Sequence, residues 1–433
     1  MKNTKLLILT AFTALTLAGC GNISSNPASL PNGGTDVNVK EESGKATMKA
    51  RLEGASDAYK NLNLTALGLN AETKDATLSL NGKVESSLGN FEGKLGLEDF
   101  GMGLEIAMGE VETNLAARAT LKETKGKFGI DGKIKQSGAE EANDIKQSID
   151  LSGVLLNAYL LEDKLYFDGS DQSVLNLLDR GSGFADGLVS DLGLNFLQLK
   201  VLAMMAEIDL SPVLNSKQDG FDFKSAYVNA TNGGKGFISL PSSLPWVNVQ
   251  SSVANYADSF KEISAETGKS TIDEFVDTFA QLSEKVSGLT FKTYGDKGFG
   301  FQIDITKESL KTLITSFSDE MNEEEKAQVK EASDQLDKYL TKFDVSSSIY
   351  FDNDGLLESI ASYMNVEANV KMEESELQDS PVTLVDLVVV AKETSKITVS
   401  YNDAVELKLP TADQLADYQE IVIPKEENEQ AQE

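Results

Sequence analysis

Cys20 is the only cysteine among the 433 residues, and it directly follows Leu17-Ala18-Gly19. With no second thiol there is no disulfide to form, so the core alone must hold the fold and the sulfur is left for a single modification. The histidine count is zero, which excludes Ser-His-Asp and Cys-His catalysis, imidazole zinc sites and histidine-based pH switching together. The 69 acidic side chains place carboxylate pairs everywhere, so a pair suited to glycoside hydrolysis has no diagnostic weight. Asp352, Asp354 and Gly355 have the alternating oxygens and turn glycine of a calcium loop. The flanking runs are strands rather than the helices of that motif, and a hairpin turn accounts for these residues better. Gly-Lys pairs at Gly82-Lys83, Gly93-Lys94, Gly126-Lys127 and Gly132-Lys133 lack the glycine spacing and following helix of a phosphate loop. No Ser-x-x-Lys stands in a helical context with partner motifs. The chain is therefore read as non-catalytic, with no cofactor and no metal.

The first twenty residues supply an address. Met1 to Lys5 is basic, Leu6 to Leu17 is almost uninterrupted apolar sequence, and Ala18-Gly19 are small. This is the pattern of a secretory signal, too short to span a bilayer permanently. Leu17-Ala18-Gly19-Cys20 resembles the lipobox of bacterial lipoproteins. The resemblance implies that cleavage leaves Cys20 first in the mature chain and that its sulfur carries diacylglycerol. With a further acyl chain such as palmitate, the protein is then lipid-anchored to a bacterial cell membrane, facing outside the cytoplasm. Each acyl methylene buried contributes roughly 0.8 kcal/mol, so two or three chains hold a protein down almost permanently.

Removing residues 1–19 takes Lys2 and Lys5 away and moves the formal charge from −30 to −32. Such a field repels phosphate backbones, which argues against a nucleic-acid partner, although screening limits its reach to about 8 Å at physiological salt. Residues 20–44 are rich in turn formers and read as the lipidated cysteine and a flexible tether, with a reach of roughly 25 to 30 Å. Two larger regions follow, 45–245 rich in strands with helices, and 246–420 running from helices to strands. An acidic tail, 421–433, reads as disordered.

The elements that must position any site are set by hydrophobic period. Leu62, Leu64 and Ala66 alternate with polar neighbours, as do Ala76, Leu78 and Leu80, then Met102, Leu104, Ile106 and Met108, then Phe128 and Ile130. Repeated alternation predicts an antiparallel sheet with one covered and one wetter face. Asn81-Gly82-Lys83, Glu92-Gly93-Lys94, Lys125-Gly126-Lys127 and Asp131-Gly132-Lys133 are read as hairpin turns, with bulges inside strands as the alternative. A period of 3.6 predicts helices over Ile272 to Val286, over Leu310 to Phe317 and over Val329 to Leu340. Strands return from Val345 to Leu409. Leu165-Tyr166-Phe167-Asp168-Gly169 and Ile349-Tyr350-Phe351 with its following turn look alike, which suggests either two related lobes or one continuous sheet.

Leu188 to Leu210 crowds apolar residues into a helix or helix pair. Leu194, Phe196, Leu197, Val201, Met204, Met205 and Ile208 are candidates to line an apolar ligand cavity against the sheet, since methionine adapts to irregular partners. Trp246, in a proline-pinned loop, is a candidate partner contact. Together these features give an α+β fold, a predominantly antiparallel curved sheet with helices packed on one face. That order of elements on a lipid anchor resembles LolA-like and LppX-like half-barrel lipoproteins. The resemblance implies an apolar cavity between sheet and helices that carries a lipid or amphipathic ligand. The alternative is an interaction or sensor protein that docks another envelope protein without a cavity. Cys20→Ala is expected to release the protein from its membrane without unfolding it, measured by fractionation after a high-salt wash and by circular dichroism.

Overall fold

The computed structural model describes residues 28–111, 114–206, 208–214, 219–240, 257–264, 267–316, 323–373 and 381–421. Cys20, Trp246, the signal sequence and all but the first residue of the acidic tail lie outside them. A two-residue strand, β1 (Thr35–Asp36), precedes helix α1 (Glu42–Asn61) and three very long strands, β2 (Ala66–Ser86), β3 (Gly89–Val111) and β4 (Asn114–Gln136). Then come β5 (Asn143–Asp150), β6 (Leu156–Leu161), β7 (Lys164–Asp168), α2 (Gln172–Asp191), α3 (Phe196–Met205), α4 (Phe223–Ala230) and β8 (Lys235–Ser239). The remainder is α5 (Thr271–Lys285), β9 (Leu289–Thr293), β10 (Phe299–Thr306), α6 (Lys307–Ser316), α7 (Glu323–Tyr339), β11 (Leu340–Phe351), β12 (Leu357–Glu373), β13 (Val382–Tyr401), α8 (Ala412–Leu415) and β14 (Gln419–Glu420).

All the described strands belong to one curved, unclosed sheet ordered β1-β9-β10-β11-β12-β13-β2-β3-β4-β6-β7-β8-β14, with β5 also paired to β4. Every pairing is antiparallel except β14 with β8. The fold is α+β, as its alternation predicts. A boundary at 245/246 does not divide this sheet, because β13 pairs with β2 along almost its whole length. Of the two architectures left open by the paired Tyr-Phe-Asp segments, the described strands form the single sheet.

Register shows how the alternation is used. Phe291, Phe301, Ile349, Ile360, Ile397, Ala71, Leu104, Leu121 and Leu156 stand directly opposite one another in one row across nine strands. Directly paired residues point to the same face, so this row marks one continuous apolar inner face. Farther along the strands a second row, Val366, Ala391, Leu78, Leu97, Phe128 and Ile149, lies on the same face. Between the rows β2, β3 and β4 each carry bulges, and the apolar positions of β2 switch there from odd numbers (Leu69, Ala71) to even ones (Leu78, Leu80). One extra residue reverses side-chain parity, so the change in the hydrophobic pattern and the bulge cancel and the apolar set stays on one side. Asp75 and Asp99 take the left-handed conformation at this line, with φ of 53° and 48°, which aspartate tolerates better than most residues.

The main core lies at the β9–β11 end of the sheet. Met48 and Ala55 of α1 and Ile272, Val276 and Phe279 of α5 close over Phe291, Phe299 and Phe301. Phe275 and Phe279 meet Phe301 edge-on at 5.7 Å, the arrangement favoured by aromatic quadrupoles. The α5 helix starts with a Ser270–Asp273 capping box. Residues 28–44, assigned to a tether on composition, are built into the fold in this region. Leu30 and Val39 are buried, and Thr35–Asp36 pairs with β9. The α1 helix falls almost wholly within the start of the 45–245 region, just before the first alternating residues at Leu62. Met48, Leu52, Ala55 and Tyr59 give it an apolar stripe at helical spacing, thinned by intervening charges.

The Gly-Lys segments are not turns. Gly82, Gly93, Gly126 and Gly132 all lie inside long strands, and the β2–β3 turn is at Ser87–Leu88 instead. Gly82, Gly93 and Gly132 form a row across three strands. A Cβ on Gly93 would stand 2.4 Å from the Asp131 carbonyl oxygen and the Gly132 Cα. Glycine is needed here for close approach of backbones. Gly93→Val is expected to cost at least about 2 kcal/mol in urea unfolding. Gly54→Ala, in α1 with open space around a new Cβ, is expected to stabilise by about 0.5–1 kcal/mol.

Candidate functional site

Helices cover the two ends of the sheet order and leave its middle open. At one end α1 and α5 pack on β9–β11, with α6 and α7 beside them over β10–β12. At the other, α2 packs on β5, and its Phe184 meets Phe128 of β4 edge-on at 5.9 Å. Between them, among the described residues, no helix lies along β13, β2 and β3. The large inner-face side chains Leu69, Leu80, Leu95, Leu97, Met102, Leu104 and Ile106 are therefore only half-buried, and Leu78 is 49% exposed. A sheet face normally buries such residues under a second layer. Here the curved sheet, with a helical wall at either side, forms a trough floored by leucine, isoleucine, valine and methionine.

A polar strip crosses this floor at the bulge line. Ser347, Ser362, Ser395 and Thr73 stand opposite one another on β11, β12, β13 and β2. Ser347 and Ser362 are buried, and the Ser362 and Ser395 hydroxyls are hydrogen-bonded at 2.8 Å. Two residues along β13 from Ser395, and so on the same face, Glu393 is 9% exposed. Burial pushes its carboxyl up to about 8, because removing the group from water penalises its charged form. At neutral pH it is a neutral acid, able to donate one hydrogen bond and accept others into the trough.

The seven predicted cavity residues lie elsewhere and do not line an enclosed space. Leu194 and Phe196 are half-buried, and Phe196 pairs edge-on with Phe221 at 5.7 Å. Leu197, Val201, Met204, Met205 and Ile208 are exposed to solvent. They do not face the sheet as their composition predicts: α3 turns away from α2 by 94° after Gly193, whose φ is 68°. Only its Phe196 and Ala203 side returns to the protein. The trough residues themselves were legible as alternation, but not as an open surface, because period reports which face is apolar and not what covers it.

The outer face is polar. A groove of about 230 Å³ there is lined by Lys94, Glu98, Lys127, Asp131 and Lys146. Its charges are compensated, Lys94 by Glu98 and Lys146 by Asp131 at 3.4 Å. Asp352, Asp354 and Gly355 form the β11–β12 turn, where Asp352 accepts the Leu356 amide at 2.9 Å. Among the described residues no cluster of three acids could hold a metal ion.

No family model and no curated protein matches the sequence. A solved structure described as lipid–protein interactions in lipovitellin is similar at 10% identity, over 81% of this chain and 26% of that chain, with a TM-score of 0.21. The chain thus spans about a quarter of that protein's length.

Glu393 sets a pH dependence. Its folded-state affinity for a proton exceeds that of the unfolded chain, so its full contribution to stability is present below about pH 4.5. That contribution is lost as pH rises toward about 8, with a slope of up to about 1.4 kcal/mol per pH unit. Glu393→Gln is expected to flatten this slope and to raise stability at pH 8–9, measured by urea unfolding across pH 5–9.

Proposed function

We propose that this protein is a non-catalytic, membrane-anchored extracytoplasmic lipoprotein that binds or carries an apolar or amphipathic ligand in the trough of its sheet. One observation carries the reading: an apolar face across β13, β2 and β3, crossed by a single polar strip, with no helix among the described residues laid along it and Leu78 half exposed. Leaving that much apolar surface in water costs roughly 25 cal/mol per Å², and a bound hydrocarbon chain removes the cost. Contiguous apolar surface of this kind marks a ligand or partner site. The hydroxyl strip and Glu393 suit a ligand with a polar but uncharged group part-way along an apolar body, since a neutral acid both donates and accepts. The anchor rests on the Leu17 to Cys20 sequence, and the acyl chains it implies place the trough within reach of a lipid source.

The test is organic extraction and mass spectrometry of protein purified from its own membranes, paired with titration of the neutral dye Nile red. Copurifying lipid is expected, together with blue-shifted Nile red emission that falls at least fivefold in Leu78→Asp/Leu97→Asp. Repeated preparations without lipid, and dye binding unchanged in that variant, would overturn the reading in favour of a protein that docks an envelope partner without a ligand.

A further inference from the structure

We infer that α3 is a membrane-surface docking helix, lying in the lipid interface at one end of the trough. Of its ten residues only Gln198 and Lys200 are polar, and Leu197, Met204 and Met205 are each more than 70% exposed. Val201, Leu202 and Ile208 add to the same exposed apolar surface. The helix is firmly built: Asn195 and Gln198 form a reciprocal capping box, and Phe196 is pinned against Phe221.

Its place in the fold gives a second, independent sign. The carbonyl of Leu192, just before α3, accepts from Gln136 at the end of β4, and Asp191 accepts from the Lys146 and Gln147 nitrogens of β5. Ser137, next to Gln136, donates to the carbonyl of Leu88 in the β2–β3 turn, and Leu88 is 78% exposed. Two separate elements therefore present bare leucine and methionine at the same end of the long strands.

The chemistry of the surface selects the occupant. From Leu192 to Ala206 there is no acid, in a chain carrying a formal charge of −30. An approach to a bilayer requires that local absence, because each carboxylate at the interface would have to be desolvated. A protein groove takes one stripe of a helix with polar residues at its rim. The exposed part of α3 is instead broad and apolar, with one lysine whose stem can run along it and place the ammonium among headgroups. Together α2 and α3 have the length and apolarity of a membrane span, but their 94° bend fits a helix lying in the interface and not one crossing it. No single helix among the described residues is long and apolar enough to cross. This inference does not depend on what the trough holds.

The experiment uses the full chain carrying Cys20→Ser, so that no acyl chain contributes, in cosedimentation with phosphatidylcholine vesicles. Binding is expected, and Leu197→Asp/Met204→Asp is expected to weaken it tenfold or more with circular dichroism and thermal midpoint unchanged. Met205→Gln, a milder change at the most exposed apolar side chain of α3, is expected to weaken it about threefold. With phosphatidylglycerol added to the vesicles, binding is expected to rise with salt as the repulsion of the acidic body is screened. Leu78→Asp, in the trough, is expected to leave vesicle binding unchanged, which separates this site from the ligand site. Absence of vesicle binding, or equal binding by the two α3 variants and the parent, would overturn the inference. So would a concentration-dependent dimer that those variants abolish in the absence of vesicle binding, since a second copy of the chain would then be the occupant.

Discussion

Keeping one apolar face on one side of a single sheet is the constraint on which the rest of the molecule depends. Strands of more than twenty residues accumulate twist, and a straight two-residue period would leave so long a sheet no means of bending. The bulge line in β2, β3 and β4 supplies the bend, and in β2 the hydrophobic pattern shifts by one residue where the bulge occurs. Sequence and backbone irregularity are matched there: either alone would send half of the apolar residues to the outer, charged face. The glycines aligned farther down the same strands let the backbones close up where side chains would hold them apart.

The two ends of the sheet and its middle obey different rules. Around Phe291, Phe299 and Phe301 the packing is that of an ordinary protein interior, with rings in edge and tilted contact and helices fastened by caps. In the middle, the same kinds of residue are present, and the described residues provide no second layer over them. The stability of the molecule is thereby concentrated at its helical ends and in the backbone ladder, and the open floor is free to exchange one apolar neighbour for another. Ion pairs such as Lys122 with Glu105 at 2.5 Å and Lys125 with Asp75 at 2.5 Å decorate the wetter face. With side chains between a third and a half exposed, they contribute little to stability and chiefly keep that face wet.

Much of this was legible in the sequence, and what was not has physical reasons. Alternation through Leu78, Leu104 and Phe128 marked the strands and the apolar face, and Ile272, Phe275, Val276 and Phe279 marked α5. The α1 stripe of Met48, Leu52, Ala55 and Tyr59 is one residue wide, so charges on every other side hid it. Gly82, Gly93 and Gly132 carry the chemistry of turns, and only their cross-strand neighbours distinguish a turn from a close approach. For α3 the inference from apolar composition to burial failed, because composition alone does not say whether an apolar helix is covered by the rest of the chain or left exposed. Cys20 and Trp246 lie outside the described residues, and their roles rest on sequence.

The pairing of β13 with β2 joins residues more than 300 positions apart, as with Ile397 and Ala71. A contact of that separation closes late, since loop-closure entropy must be overcome before the ladder returns anything. Until β13 arrives, β2 presents an open hydrogen-bonding edge and the β2–β4 meander an unshielded apolar surface, a species prone to joining its own kind. Among the described strands the main order ends in strands of two residues, β1 and β14, too short to template further addition, and the side edge formed by β5 is packed against α2. The chain is thus safest at the two extremes of its biogenesis, unfolded or complete, and most in need of an escort between them.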